Sequence, residues 1–399
     1  MTRRATLRRP ALLLATAVAW LLLASLSAPS ALAADDPLSD EQWGLVDIGA
    51  ADAWSHATGE GIVIGIVDSG VDASHPDLAG KIDAVATCVG GPCREGTAPD
   101  VDGHGTAVAG VAAAVTGNGE GISGVAPDAH LVVAKALDDD GFGRIEDINN
   151  AIIWVVDHGA DVVNLSLGDP RMTVVSILGT PLGPAIEYAW TRGAVTVLAA
   201  GNYDDGVTGL SPNYGDIHAV VVGSTDETGT VTDYSTSLGD AAWGLVAPGG
   251  IGDGVGDDIL TTAPGGRYWS VAGTSFAAPH VSGTLALLLS EGLAPQAAVD
   301  RLLGTLDHST SCGEGCRGRL RAGAAATPPP PVAPVDSVVP APVTPADAGL
   351  DPVVIGLVVA LLAVIVTIGV GFGVARRRSS ARTPPWTPSA SSDEHRSAA

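Results

Sequence analysis

Four polar residues that lie far apart in the chain are of the types needed to attack a carbonyl carbon. A serine nucleophile needs a base to take its proton, an acid to orient that base, and donors for the developing oxyanion. Asp68 in IVDSGVDASHPDL, His104 in DVDGHGTAVAG, Asn202 in AAGNYDD and Ser275 in GTSFAAPH match these roles. The set predicts covalent catalysis by a serine.

Each of these residues, taken alone, also has a structural interpretation. A serine such as Ser275, just before an apolar helical pattern, is typical of a helix cap, because its hydroxyl accepts an unpaired amide hydrogen. Asp68 and Asn202 are of types common in turns, and His104 is compatible with a helix start. The catalytic interpretation therefore depends on the four residues meeting in space.

The elements around these residues predict an α/β fold, a largely parallel sheet with helices on both faces. Short runs rich in Val, Ile and Leu, typical of strands buried on both faces, alternate with longer helical patterns. The predicted strands are IVIGIVDSG, LVVAKAL, DVVNLSLG, AVTVLAAGN, AVVVGST and GLVAPGG. In such sheets the chemistry lies at the carboxyl ends of the strands, where Asp68, Ser166 and Asn202 are expected.

Both ends of the chain carry apolar runs that predict export and anchoring. Residues 1–33 join an arginine-rich start to a short apolar run and small residues, which is typical of a cleaved signal peptide. An uncleaved anchor is the alternative. Residues 353–375 contain no charge and precede three arginines, so they predict a transmembrane helix with a cytoplasmic tail at 376–399. A core helix, the alternative there, would show a polar stripe.

The predicted organisation places the bulk of the chain outside the cell. Residues 34–326 form the predicted catalytic domain, and the proline-rich residues 327–352 form an extended spacer. The expected protein is a single-pass type I protein of the cell membrane, held there by its carboxyl-terminal helix.

The net charge limits the expected binding partners, and the cysteine content bears on the cellular compartment. The formal net charge of −24 argues against nucleic acid as a partner. After export, the simplest pairing of the four cysteines is in two short loops, with a metal site as the alternative. The predicted disulfides are Cys88 with Cys93 and Cys312 with Cys316.

Together, the stretches around the four polar residues resemble the subtilisin-like serine proteases, the subtilases. The order Asp, His, Ser along the chain is the subtilisin order, and the resemblance runs from QWGLVDIGAADAW through GRLRAGAAA. It implies that Asp68 is the triad aspartate, His104 the general base, Ser275 the nucleophile and Asn202 the oxyanion donor. It also implies peptide or protein substrates and no cofactor for catalysis. In this arrangement Ser275 would be cap and nucleophile at once.

The resemblance also suggests a substrate cleft. Two edges would hold an extended peptide by strand addition, and small residues would form the floor of the pocket before the cut. The implied residues are Gly141, Phe142 and Gly143 on one edge, Ser166, Leu167 and Gly168 on the other, and Ala200 and Gly201 on the floor.

Two departures and the anchor bear on which kind of subtilase is implied. Ala107 stands where many subtilases have a second histidine, and Phe276 follows the nucleophile where methionine is common. Neither position donates a proton, so activity is still expected. GHGTAVAG, the spacer and the span also look like the mycosins, membrane-anchored subtilases of type VII secretion. The alternative to a surface protease is thus a component of a secretion complex, with secretion-system proteins as partners.

Two carboxylates and a glycine-rich loop resemble the calcium site of thermitase-like subtilases. Calcium takes six to eight oxygen ligands, which carboxylates, an Asn side chain and loop carbonyls supply. The implied ligands are Asp36, Asp77, Val115, Asn118, Glu120 and Ile122. An acidic surface loop without a metal is the alternative, because Glu120 is not the usual residue at its place.

Overall fold

A computed structural model describes residues 36–167, 181–202, 212–254 and 256–328. The chain divides into two compact units, Met1–Pro329 and Pro330–Ala399, and every described residue belongs to the first. The predicted signal peptide, transmembrane segment and tail lie outside the described residues, as does most of the spacer. Among the residues described, no helix is long and apolar enough to cross a membrane.

The described strands form one large sheet and one hairpin. The sheet has nine strands in the order β11-β8-β7-β6-β5-β1-β4-β2-β3, and β9 and β10 form the hairpin. All neighbours in the sheet are parallel except β2 and β3. The predicted α/β class with a largely parallel sheet is thus confirmed. The strands are β1 (Val63–Asp68), β2 (Ile82–Thr87), β3 (Arg94–Glu95), β4 (His130–Lys135), β5 (Val162–Leu165), β6 (Val195–Ala199), β7 (Ala219–Thr225), β8 (Trp243–Pro248), β9 (Ile259–Ala263), β10 (Arg267–Val271) and β11 (Cys316–Arg319).

Eight α-helices are present in the described residues. They are α1 (Trp43–Ile48), α2 (Ala50–Trp54), α3 (His104–Ala113), α4 (Ile145–Asp157), α5 (Gly183–Thr191), α6 (Thr274–Ser290), α7 (Pro295–Gly304) and α8 (Ala322–Ala326). Short 3-10 turns occur at Ser39–Glu41 and Pro76–Leu78. The helical sequence patterns GTAVAGVAAAV, IEDINNAIIWVVDHG, GPAIEYAWTRG and SFAAPHVSGTLALLLSEG correspond to α3, α4, α5 and α6.

The helices cover both faces of the sheet because the strand side chains alternate between two apolar clusters. In β1, Ile64 and Ile66 join the cluster that contains α3 and α6. Val67 points the other way and joins the cluster that contains α4 and α5. Gly65 lies on that second face, where a Cβ would come within 2.8 Å of Val155 in α4. The side chain of Asp68 continues the Ile64 and Ile66 face, so it points toward α3.

The carboxyl end of the parallel strands is where the functional residues gather. Asp68 is the last residue of β1, Ser166 follows β5, and Asn202 lies just beyond β6. β5 pairs with both β1 and β6, so the three strand ends are neighbours in the sheet. Helices α3 and α6, which begin at His104 and Thr274, both pack on the same face of the sheet.

Candidate active site

The carboxylate of Asp68 orients the ring of His104. Asp68 is fully buried, and its Oδ1 accepts hydrogen bonds from the Ser69 amide at 2.7 Å and from His104 Nδ1 at 2.8 Å. A carboxylate can only accept, so Nδ1 carries the proton. The other ring nitrogen, Nε2, is therefore the base.

Acidic neighbours raise the pKa of His104. Burial on its own lowers the pKa of this imidazole, but the charge of Asp68 and the hydrogen bond to it act in the opposite direction. The charges of Asp102 and Asp100 add to that effect, and the net shift is upward from the ordinary value. The surroundings thus stabilise the imidazolium that forms when the base takes a proton.

Ser275 lies at the start of α6, beside β5. Its Oγ donates a hydrogen bond to the carbonyl oxygen of Ser166 at 3.2 Å. The ring of Phe276, the next residue, contacts the ring of His104 with centroids 5.4 Å apart. The base and the nucleophile helix are thus in contact, and general-base catalysis requires the Ser275 hydroxyl to turn from Ser166 to His104 Nε2.

The helix-cap interpretation of Ser275 is wrong. The N-cap of α6 is Gly273, which has no side chain, and Ser275 is the second residue of the helix. The hydroxyl bonds to the carbonyl of Ser166, just after β5, instead of an amide of its own helix. His104 likewise is the first residue of α3, whose N-cap is Gly103.

Asn202 has its amide group oriented by the residue before the nucleophile. Its Oδ1 accepts from the Thr274 amide at 2.8 Å and from Thr274 Oγ1 at 2.9 Å. Nδ2 has no hydrogen-bond partner among the described residues, so it remains as the donor. Gly273, with φ of 150°, lets Nδ2 approach, because a Cβ there would lie 3.0 Å from that atom. We expect Nδ2 and the amide of Ser275, which lies in the first helical turn, to be the two oxyanion donors.

The first edge of the predicted substrate cleft is a short hairpin after β4. Leu137 and Gly143 pair across it, and the Asp138 amide donates to the Phe142 carbonyl at 2.9 Å. Gly141 has φ of 80°, which allows the tight turn. The side chain of Phe142 is 72 % exposed, so it is free to contact a substrate.

The second edge and the floor follow β5 and β6. Ser166 and Leu167 are buried at the end of β5, and Gly168 lies outside the described residues. Ala200 is buried after β6, and the Gly201 amide donates to Thr274 Oγ1 at 3.1 Å. The floor is thereby tied to the start of α6.

Both predicted disulfides are formed. One joins Cys88 to Cys93 after β2, and the other joins Cys312 to Cys316 at the start of β11. The alternative of a cysteine metal site is therefore not supported.

The predicted calcium ligands converge on one loop. Asp36 and Asp77 are both buried, and they contact the loop 115–123 from two sides. Asp36 accepts from Gly117 N, Gly119 N and Ser123 Oγ. Asp77 accepts from Asn118 Nδ2, Ile122 N and the hydroxyl of Tyr268.

The charge of this acidic pair fits a cation. All six donors are neutral groups, and among the described residues neither Asp36 nor Asp77 has a cationic partner. Buried charges in proteins are usually paired or bind metals. No group of three or more His, Cys, Asp or Glu that could hold a metal occurs within the part of the chain described. A calcium ion here would therefore take much of its coordination from Asn118, Glu120 and the loop carbonyls of Val115 and Ile122.

Sequence reasoning missed a carboxylate that organises the loop before His104. Asp100 Oδ1 accepts from Ser69 Oγ and from Gly103 N, both at 2.8 Å. Its Oδ2 accepts from the Thr106 amide, also at 2.8 Å. Asp100 thus joins the residue after Asp68 to the first turn of α3. Its only signal in the sequence is its place in DVDGHG.

A family model described as the Subtilase family matches residues 59–319. The chain belongs to the subtilase family. It is 38 % identical to Thermitase of Thermoactinomyces vulgaris over 266 residues, which span 65 % of this chain and 86 % of that protein. It is 35 % identical to Subtilisin Savinase of Lederbergia lenta over 247 residues, 62 % of this chain and 83 % of the relative.

A solved structure supports the same assignment. A protease from Pseudoalteromonas arctica PAMC 21717 matches with a TM-score of 0.60 and 29 % identity, over 73 % of this chain and 98 % of its own. This subtilase is thus a serine endopeptidase by family, and subtilases need no cofactor for catalysis. The predicted family is confirmed, and the mycosin subtype stays a prediction.

Proposed function

We propose that this subtilase is a membrane-anchored endopeptidase that cuts peptide bonds outside the cell. The observation that carries the catalytic part is the 2.8 Å bond between Asp68 and His104 beside the start of α6. The apolar run 353–375 followed by arginines supports the anchor, and the two disulfides are typical of an exported domain.

Catalysis starts from an extended peptide held between the two edges of the cleft. His104 Nε2 takes the proton of Ser275 Oγ while this oxygen attacks the carbonyl carbon, and Asp68 stabilises the imidazolium. The oxyanion accepts hydrogen bonds from Asn202 Nδ2 and the Ser275 amide. His104 then gives its proton to the leaving amine. Water, activated by the same base, hydrolyses the acyl-enzyme and restores Ser275.

Cells that produce the chain provide the test of both the activity and its side of the membrane. Intact cells should hydrolyse a membrane-impermeant peptide substrate added to the medium. Cells producing Ser275→Ala at the same level should not, because the nucleophile is lost. Hydrolysis that appears only after the cells are broken would contradict the external placement, and equal hydrolysis by both cell types would contradict the catalytic assignment.

A mycosin-like role in type VII secretion is the second candidate. GHGTAVAG, the spacer and the terminal span favour it, because a structural component must stay at the membrane complex. The comparison that decides is between a host lacking the chain and a host producing Ser275→Ala. Secretion that is lost in the first host and normal in the second supports the structural role. Normal secretion in both hosts contradicts it.

We also propose a structural calcium ion at the loop 115–123. Two buried carboxylates that have no cationic partner in the described part of the chain support it, as does the similarity to Thermitase. Bound there, the ion would neutralise Asp36 and Asp77. It would also fasten the amino-terminal arm, the described residues 36–42 before α1, to the core.

A further inference from the structure

A chain of buried hydrogen bonds leads from the middle of α6 back to the nucleophile. Ser282 Oγ donates to Asn164 Oδ1 at 2.8 Å, and Asn164 Nδ2 donates to Ser166 Oγ at 2.8 Å. Ser166 Oγ in turn donates to the carbonyl oxygen of Ser275 at 2.6 Å. Asn164 and Ser282 are fully buried, and Ser166 is 3 % exposed.

The side-chain amide of Asn164 fixes the donor-to-acceptor direction of these hydrogen bonds. Its Oδ1 is occupied by the Ser282 hydroxyl, so the amide presents Nδ2 to Ser166. The hydroxyl of Ser166, already accepting from Asn164, then directs its own proton at Ser275. A polar side chain in the apolar strand β5 is costly unless it is hydrogen-bonded, and the two bonds of the Asn164 side chain link Ser282 to Ser166.

Ser166 and Ser275 are joined by two reciprocal bonds. The hydroxyl of Ser166 donates to the carbonyl of Ser275, and the hydroxyl of Ser275 donates to the carbonyl of Ser166. Ser166 therefore holds both the main chain and the reactive oxygen of Ser275 in place. A change in the hydrogen bonding of Ser166 would move Ser275 Oγ relative to His104.

We propose that Asn164 and Ser282 are positioning residues for the nucleophile. They direct the hydroxyl of Ser166 at the carbonyl of Ser275 and so hold the start of α6 in the geometry needed for attack. This inference rests on the proposed peptidase function.

Two substitutions change this chain of hydrogen bonds at different points. Asn164→Asp keeps the shape but replaces the donor by an acceptor, so the Ser166 proton turns to the new carboxylate and leaves Ser275. Ser282→Ala removes the donor that fixes the orientation of the amide. Thr284→Val is the matched control, because Thr284 is another fully buried hydroxyl on α6 whose Oγ1 donates to the His280 carbonyl at 2.8 Å, away from Asn164.

The readouts are kcat and KM for an extended peptide, and the labelling rate of Ser275 by a small fluorophosphonate, all on the purified full-length chain. Asn164→Asp should lower kcat by about tenfold or more, because small misplacements of a reacting group are costly. Ser282→Ala should lower kcat by roughly threefold. The labelling rate should fall in parallel, KM should stay within about twofold, and Thr284→Val should behave as the parent.

Parent-like kcat and labelling in Ser282→Ala would overturn the positioning role, as would a loss equal to that of Thr284→Val. A rise in KM at constant kcat would overturn the positioning role as well, because the hydrogen bonds of Asn164 and Ser282 would then serve substrate binding. If Asn164→Asp does not fold, the comparison of Ser282→Ala with Thr284→Val decides. A parent chain that neither hydrolyses peptides nor labels would instead refute the peptidase function itself.

Discussion

The base of this site is made by one hydrogen bond between two residues of different elements. Asp68 at the end of β1 holds Nδ1 of His104 at the start of α3, so the lone pair of Nε2 is available to the nucleophile. Ser275 is then an ordinary hydroxyl whose reactivity depends on its distance from that nitrogen. The residues around the triad therefore act mainly by placing these three groups.

Asn202 offers the sharpest test of charge stabilisation. Asn202→Ala should reduce kcat on the order of 10² to 10³-fold, the cost of removing one oxyanion donor, with little change in KM. The reason is that Nδ2 meets the substrate oxygen only when that oxygen becomes charged. Steady-state kinetics on a peptide substrate measure both constants, and unchanged kcat would remove Asn202 from the oxyanion site.

The raised pKa of His104 predicts how activity depends on pH. The base must be neutral, so kcat/KM should fall as pH decreases through a value above the ordinary 6.5 of histidine. Asp102→Asn removes a negative charge that raises the pKa of His104, so the acidic limb should move to lower pH.

The control for this shift is Asp300→Asn, which changes an exposed carboxylate on α7 that accepts a hydrogen bond from Gln296 on the same helix. Its pH profile of kcat/KM should match that of the parent. An acidic limb of the kcat/KM profile that stays in place in Asp102→Asn, or that moves to higher pH, would show that the charge of Asp102 does not raise the pKa of His104.

At the scale of the elements, the amino-terminal arm is joined to the core at the loop 115–123. Added calcium should raise the melting temperature, because binding to the folded state stabilises it by about 2.7 kcal/mol at a hundredfold excess over Kd. Asp77→Ala should remove most of the difference between calcium and chelator. Calorimetry measures it, with Asp83→Ala, an exposed carboxylate of β2, as the control. Identical melting curves of the parent in calcium and in chelator would rule the site out.

Most of the sheet could be predicted because its central strands are short runs of buried apolar residues. The six predicted strands correspond to β1, β4, β5, β6, β7 and β8. β9 and β10 were missed, since their polar and apolar residues are mixed in a hairpin outside the main sheet. α7 was missed as well, because only part of its surface is apolar and its residues carry no functional motif.

The triad and Asn202 could be predicted because their motifs are short and local. The residues that support them could not, because they act across long sequence separations. Asn164 bonds to Ser282, 118 positions away, and a polar residue in an apolar strand does not indicate its partner. Ser275 was expected to cap its own helix, and the structure gives that place to Gly273.

At the scale of the whole molecule, the acidic composition and the disulfides agree with the proposed location outside the cell. The formal net charge of −24 disfavours nucleic acid and anionic surfaces, and favours cations and basic partners. A catalytic unit closed by two short disulfide loops is suited to an oxidising exterior. We expect broad tolerance of peptide sequence, because a cleft that holds an extended peptide by strand addition pairs mainly with its main chain.

The most direct test of Ser275 as the nucleophile is to identify the residue that a fluorophosphonate modifies in the purified chain. Mass spectrometry of peptides from the inactivated protein should find the adduct on Ser275 alone, in proportion to lost peptidase activity. Ser275→Ala should take no label and lose on the order of 10⁴ to 10⁶ in turnover, the cost of removing a triad member. An adduct on another residue, or parent-like turnover by Ser275→Ala, would contradict the account.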